Sequence, residues 1–242
     1  MDAAQDYQMR RILELIDAGV VHDQELEAAR LLEVKSPVIF DVGANRGQSI
    51  ASFKVMFPES TVHSFELNPL FHPVLDEVSR KYSDVYIHKY GLSDAQGDVE
   101  FFIPMVNGVL FYEEASIDNV ALERPWVRER LTSLDPNFQV SKYSGSVEVG
   151  DHLGLPSPDI VKIDVEGVEL RVVQGLIKTI SDHKPLVIVE NSDWDAVTHL
   201  LGTLGYKPYR YDEVEKKLVD FHGYTTNTFY VASGRERGML PV

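Results

Sequence analysis

Apolar positions in the first thirty residues recur at helical spacing. Ile12, Leu13, Leu15 and Ile16 make one face, Gly19 and Val20-Val21 interrupt it, and His22-Asp23 can open a second helix carrying Leu26 and Leu31-Leu32. Residues 5–32 therefore read as helical. Residues 1–36 read as an N-terminal segment that packs over the rest or forms a lid or dimer contact, leaving a homo-oligomer open. After Ser36-Pro37 the pattern becomes short apolar runs alternating with helical stretches. Strands are expected at Val38–Val42, Thr61–Glu66, Val85–Tyr90, Val99–Ile103, Ile160–Asp164, Leu186–Glu190, Lys207–Tyr211 and Thr228–Ala232. Helices are expected near 47–56, 69–81, 167–180 and 193–204. That alternation implies βαβ units and an α/β fold with a doubly wound, mainly parallel sheet over residues 37–242. Residues 207–232 read instead as two strands with a short polar connection, an antiparallel pair at the sheet edge. Residues 104–146 break the alternation. They mix Phe111, Tyr112, Trp126, Phe138 and Tyr143 with charges, and read as an insertion that either shapes a substrate pocket or anchors itself to the core.

Composition narrows the function classes. The chain of 242 residues carries 38 acidic and 23 basic residues, a formal net charge of −15, which argues against binding nucleic acid or an anionic membrane surface. With no cysteine there is no disulfide framework, thiolate metal site or catalytic thiol, which fits a cytoplasmic protein. The N-terminus lacks the apolar core of a signal peptide, and no run reaches the ~20 apolar residues of a membrane span.

The segment Val38–Ser49, VIFDVGANRGQS, carries the chemistry. A buried strand leads into Gly43 and Gly47 and opens a helix, the setting of a nucleoside-cofactor turn. Gly43 permits a sharp turn, and Gly47 lets a ligand approach the free N–H groups of the helix. The spacing is GxxxG rather than GxGxxG, with Asp41 just before it. A pyrophosphate needs backbone donors alone, whereas S-adenosylmethionine (SAM) brings an ammonium that suits Asp41. Glu66, in FELNP, lies 23 residues after Gly43, near the offset at which an acidic residue meets ribose hydroxyls. The loop Gly91-Leu92-Ser93-Asp94 follows the third strand, where Leu92 can cover adenine and Ser93 can bind its edge; Asp94 serves there or caps the turn. The strand Ile160–Asp164 holds Lys162 in its middle and is followed by Glu166, and ligands bind beyond the carboxyl ends of such strands. Glu190-Asn191 ends the next strand. With Asp164 these oxygens could hold Mg²⁺, or Glu190 could hydrogen-bond the acceptor or a loop. Glu169 suits the first turn of the following helix.

The set DVGANRGQ, FELNP, GLSDAQGDVEFF and PDIVKIDVEGVELRVVQG resembles the FkbM-type SAM-dependent methyltransferases over about residues 37–232. The resemblance implies a Rossmann-like class I methyltransferase fold with an antiparallel terminal strand. It also implies methylation of a hydroxyl on a sugar, glycan or polyketide-type natural product. The cofactor set is then Asp41, Gly43, Ala44, Asn45, Gly47, Gln48, Ser49, Glu66, Leu67, Asn68, Leu92, Ser93 and Asp164, with Lys162, Asp164 and Glu166 bordering the methyl-transfer site. No family pattern covers 104–146.

Transfer of a methyl group to a sugar hydroxyl needs alignment and removal of a proton. Asp164 is the first choice as base or orienting group, with Lys162 holding it or stabilising alkoxide character, and His222 is the alternative base. His63, His88 and His183 show no partners in the sequence and receive no role. Two other classes remain: a SAM-binding partner subunit without catalysis, disfavoured by the charged strand end at Lys162–Glu166, and an NAD-dependent oxidoreductase, which would need a tighter glycine fingerprint.

Overall fold

The computed structural model describes residues 14, 18–112, 115–117, 122–190, 194–221 and 225–235. Most of the expected first helix, together with Asn191 and His222, lies outside them.

Strands β1 (Val38–Val42), β2 (Thr61–Phe65), β3 (Val85–His88), β8 (Ile160–Ile163), β9 (Leu186–Glu190), β10 (Tyr206–Asp212), β11 (Lys217–Asp220) and β12 (Asn227–Ala232) form one eight-stranded sheet. Its order is β11-β10-β12-β9-β8-β1-β2-β3, parallel from β9 through β3 and antiparallel where β12 pairs with β9 and β10. Helices α1 (Gln48–Met56) and α2 (His72–Lys81) link β1, β2 and β3. The chain then returns to the other side of β1 to lay down β8, followed by α4 (Glu169–Gly175), α5 (Ile177–His183), β9 and α6 (Trp194–Thr203).

Alternation along the strands feeds two cores, one on each face. Ile39, Val62, Ile160 and Ile188 pack with Ile50 and Phe53 of α1 and Leu75 and Val78 of α2. Phe40, Val42, Val161, Ile163, Val187 and Val189 pack on the opposite face with Val172, Val173, Ile180 and Val197. This is the doubly wound, mainly parallel sheet that the hydrophobic pattern predicts.

The differences are informative. Residues 207–232 form three strands rather than two, and β12 is an interior strand between β9 and β10, so the edge belongs to β11. The third strand ends at His88, and the helix expected over 167–180 is divided at Leu176. A Cβ on Gly175 would come within 2.1 Å of the Ser93 carbonyl, so glycine there lets the loop after β4 (Gly91–Leu92) press against the helix break.

The described residues of 97–148 build a second sheet. Strands β5 (Gly97–Val106), β6 (Val109–Leu110) and β7 (Gln139–Glu148) join β4 in the order β4-β7-β5-β6. The expected strand Val99–Ile103 thus belongs to β5 and to this second sheet. Helix α3 (Pro125–Leu134) closes it with a small core of Val106, Leu122, Val127 and Leu131.

In the N-terminal segment the described helix is a 3-10 helix over Gln24–Leu32, where the Asp23 side chain accepts from the Glu25 N–H. Leu26 is fully buried beneath it. Among the described residues no helix is long and apolar enough to cross a membrane.

Candidate active site

The strand order reverses between β1 and β8, and there the two strand ends touch. Val42 pairs with Ile163, and the Asp164 N–H donates to the Val42 carbonyl at 3.0 Å. Gly43 turns the chain with φ 85°, and a Cβ on it would lie 1.7 Å from the Asp164 carbonyl oxygen. No other residue fits that contact. The N–H groups of Gly43 and Ala44 both donate to Phe65, which ties the turn to the end of β2.

Glu66 stitches two loops together. Its Oε2 accepts from the Asn45 N–H and its Oε1 from the Asn68 N–H, both at 2.7 Å. Each carboxylate oxygen keeps a second lone pair. Burial pushes the Glu66 carboxyl up to about 7, against the opposing effect of the two backbone N–H groups.

Parallel register builds a charged row behind this turn. Ser64, Asp41 and Lys162 are register neighbours on β2, β1 and β8. Asp41 is fully buried, and its Oδ2 accepts from Ser49 at 2.7 Å and from Ser64 at 3.3 Å. Its Oδ1 lies 3.7 Å from Lys162 Nζ and has no hydrogen-bond partner among the described residues. Burial raises the Asp41 pKa, opposed by Lys162 and the two serines. Lys162 Nζ donates to Asp164 Oδ2 at 3.0 Å. Burial disfavours the ammonium, but Asp164 and Asp41 together hold its pKa above the ordinary lysine value. Glu190, at the end of β9, hydrogen-bonds Asp164 and is pushed up to about 8 by burial and by that neighbouring carboxylate. Oxygens of Asp164, Glu166 and Glu190 lie within 4.8 Å of one another.

A cleft of about 850 Å³, measured out to open solvent, lies above these strand ends. Of the residues expected from the sequence, Gly43, Asn45, Glu66, Leu67, Asn68, Leu92, Asp164 and Glu166 line it. The others do not. Ala44 is buried, the Gly47 N–H turns back to Ala44, and Gln48 accepts from the Arg46 N–H. Asp41, Ser49 and Lys162 form the buried row behind the wall, where Asp41 pairs with Ser49 and Lys162. Ser93 faces away, its N–H bonded to Glu148 and its hydroxyl to Asp94. Glu169 is buried and accepts from the Gly167 N–H, tying down the turn into α4. His63 and His88, unassigned in the sequence, pair with each other at 3.0 Å, and His183 lies 3.3 Å from Ser157; none of the three lines the cleft.

Gly91 of the expected loop and Tyr112 of the insertion also line it, with several residues that carry no chemical signature in the sequence: Phe71, Phe101, Ser116, Ile117, Val147 and Val168. Most come from the second sheet and its connections, which roof the cleft. Ser116 exchanges two backbone hydrogen bonds with Phe102, and the Arg46 guanidinium lies over the adjoining rings of Phe71 and Tyr112, 5.0 and 4.8 Å from their centroids. The insertion therefore contributes to the cleft wall and also packs its own small core.

The family model described as the methyltransferase FkbM domain matches residues 41–223. The chain belongs to the FkbM methyltransferase family. Among curated family relatives, hexuronic acid methyltransferase AglP of Haloferax volcanii is 29% identical over 63% of this chain and 55% of its own length. Methyltransferase 1 of Beauveria bassiana is 28% identical over 64% of each chain. The chain thus spans only part of these relatives, between half and two thirds. A solved FkbM methyltransferase from Methylobacillus flagellatus shares the fold with a TM-score of 0.54 at 18% identity, covering 81% of this chain and 44% of that one. The fold is the class I methyltransferase fold that the motifs resemble.

Proposed function

We propose that the chain is a SAM-dependent methyltransferase that methylates an oxygen of a sugar, glycan or polyketide-type natural product. The observation that carries this reading is Glu66: a buried carboxylate at the cleft, fixed by two backbone donors, with lone pairs left for a pair of vicinal hydroxyls. It stands beside the Gly43 turn and the Asp164 strand end at the reversal of strand order, where α/β sheets bind nucleosides. When bound, SAM supplies an electrophilic methyl group on a sulfonium. Glu66 and Asn68 would hold the ribose; Leu67, Gly91, Leu92 and Val147 would flank the adenine; Gly43 and Asn45 would meet the amino-acid portion. Asp164, held by Lys162 and Glu190, would orient the acceptor beside the methyl group.

A sugar acid is the first acceptor to test, on the name of a relative 29% identical. The converging oxygens of Asp164, Glu166 and Glu190 also suit Mg²⁺, with Asn191 the remaining expected ligand. Lys162 and the proton shared between Asp164 and Glu190 already offset much of the negative charge there, so the reading does not depend on a cation.

The test is transfer of tritium from methyl-labelled SAM to a panel of neutral glycosides and uronic-acid glycosides. Asp164→Ala should retain affinity for S-adenosylhomocysteine and lose most turnover. Unchanged turnover would remove Asp164 from the reaction, and absence of SAM binding at millimolar ligand would remove the function.

A further inference from the structure

The oxygen of a sugar hydroxyl must lose its proton as it is methylated, and Asp164 is poorly placed to take it. Its carboxylate already accepts the Lys162 ammonium and a hydrogen bond from Glu190. Another acceptor of suitable basicity is needed nearby. His222 lies outside the described residues. A different histidine, His22, is brought to this corner by the N-terminal segment.

His22 is fixed on both sides. Its backbone N–H and its Nδ1 both contact Ser52 Oγ, at 3.0 and 2.8 Å. The next residue, Asp23, caps the 3-10 helix and accepts from Asn227 Nδ2 at 3.0 Å, while Glu25 accepts from the Asn227 N–H at 3.0 Å. The first residue of β12 therefore anchors the segment. Ser52 lies on α1 one turn after Ser49, whose hydroxyl binds Asp41, and Asn227 pairs in register with Glu190, which hydrogen-bonds Asp164, so the segment carrying His22 borders the Asp41–Lys162–Asp164 row beside the residues that line the cleft. The charged groups acting on its ring are Lys162 and Asp164 at the end of β8, Asp41 of β1, and Asp23 of its own segment. The ring also reaches solvent.

The contacts set the tautomer. Ser52 Oγ has one hydrogen, and it donates to the Gln48 carbonyl at 2.9 Å. Only an Nδ1–H imidazole then satisfies all three contacts of the hydroxyl, which leaves the lone pair on Nε2. Crowding by the surrounding protein and the Lys162 charge both lower the pKa of His22, so the ring is neutral at pH 7.

We propose that His22 is the general base of methyl transfer, receiving the acceptor hydroxyl proton on Nε2 while Ser52 holds Nδ1 and Asp164 orients the acceptor. One proton would pass from oxygen to Nε2 as the oxygen–carbon bond forms and the methyl–sulfur bond of SAM breaks, its electron pair staying on the sulfur of S-adenosylhomocysteine, and the proton would then leave to solvent from the exposed ring. This inference rests on the O-methylation reading above.

His22→Asn keeps a donor at the Nδ1 position for Ser52 and deletes Nε2. It should bind S-adenosylhomocysteine with unchanged affinity and methylate a neutral glycoside at least about a hundredfold more slowly. The acidic limb of the wild-type kcat profile, below pH 6.5, should disappear. A merely structural role would lower Tm and leave that profile intact. Nitrogen-15 NMR of the histidines supplies a readout that needs no acceptor: His22 should be the Nδ1–H tautomer at pH 7.5. An Nε2–H tautomer, or His22→Asn turnover within twofold of wild type with the same pH profile, would overturn the proposal. Failure of the wild-type chain to bind SAM would instead overturn the functional reading beneath it.

Discussion

Replacing Glu66 by glutamine tests the ribose-binding carboxylate directly. The two oxygens of Glu66 each accept a backbone N–H at 2.7 Å, from Asn45 and Asn68. A glutamine offers one oxygen and one NH₂ group, so one of those two N–H donors would face another donor. Leaving a buried donor unsatisfied costs about 1–3 kcal/mol, and a hydrogen bond to a charged acceptor is worth about 1.5–3 kcal/mol. Glu66→Gln should therefore weaken S-adenosylhomocysteine binding by roughly 10- to 150-fold in a calorimetric titration. The charge also has a pH signature. Burial raises the folded-state Glu66 pKa from 4.5 to about 7. A carboxyl shifted in this direction contributes stability that is full below pH 4.5 and lost as pH rises through 7. The loss for the ligand-free protein is on the order of 3 kcal/mol. Ligand affinity should show the opposite trend, falling toward tenfold per unit below pH 7 as the carboxylate takes up its proton. Glu66→Gln should flatten both curves. Binding within twofold of wild type, or unchanged pH dependence of the melting temperature in the variant, would refute the assignment.

Two further outcomes follow from the same geometry. Asp41→Ala leaves Lys162 with Asp164 as its remaining acidic partner in the buried row and should cost about 3 kcal/mol in urea unfolding; a loss under 1 kcal/mol would show that the row contributes little. Dialysis against a chelator should leave turnover within twofold, because Lys162 and the proton shared by Asp164 and Glu190 offset the charge of the acidic corner; loss of activity restored by Mg²⁺ would show a metal at Asp164, Glu166 and Glu190.

What could be read from the chain was local. Short apolar runs and the helical stretches between them gave the parallel strands, because burial on both faces of a sheet leaves a continuous apolar signature. The Gly43 turn and the place of Glu66 at the cleft were legible because a sharp reversal requires glycine and an acidic residue at that offset falls at the end of the next parallel strand. The partner of Asp41 was hidden for a complementary reason. Its neighbour Lys162 is 121 residues away, and only the β1–β8 register reveals that the two sit side by side. Strand β11 was missed because it is four residues long and buries only Leu218. Of the second sheet only Val99–Ile103 was legible, as part of β5; β7 escaped because it buries only Val147 and pairs with β5 across an intervening helix. The sheet's contributions to the cleft, Phe101 and Val147, are apolar side chains indistinguishable in sequence from core residues. His22 read as the start of a helix, and nothing local announces its contact with Ser52, thirty positions onward.

The claim on which the rest depends is that the cleft between the Gly43 turn and Asp164 binds SAM through Glu66. Calorimetric titration of the wild-type chain with SAM, S-adenosylhomocysteine and NAD⁺ addresses it without any knowledge of the acceptor. Binding of one equivalent of each adenosyl ligand, with none of NAD⁺, is the predicted result. Absence of heat with SAM and S-adenosylhomocysteine at millimolar concentration, or tighter binding of NAD⁺, would contradict it.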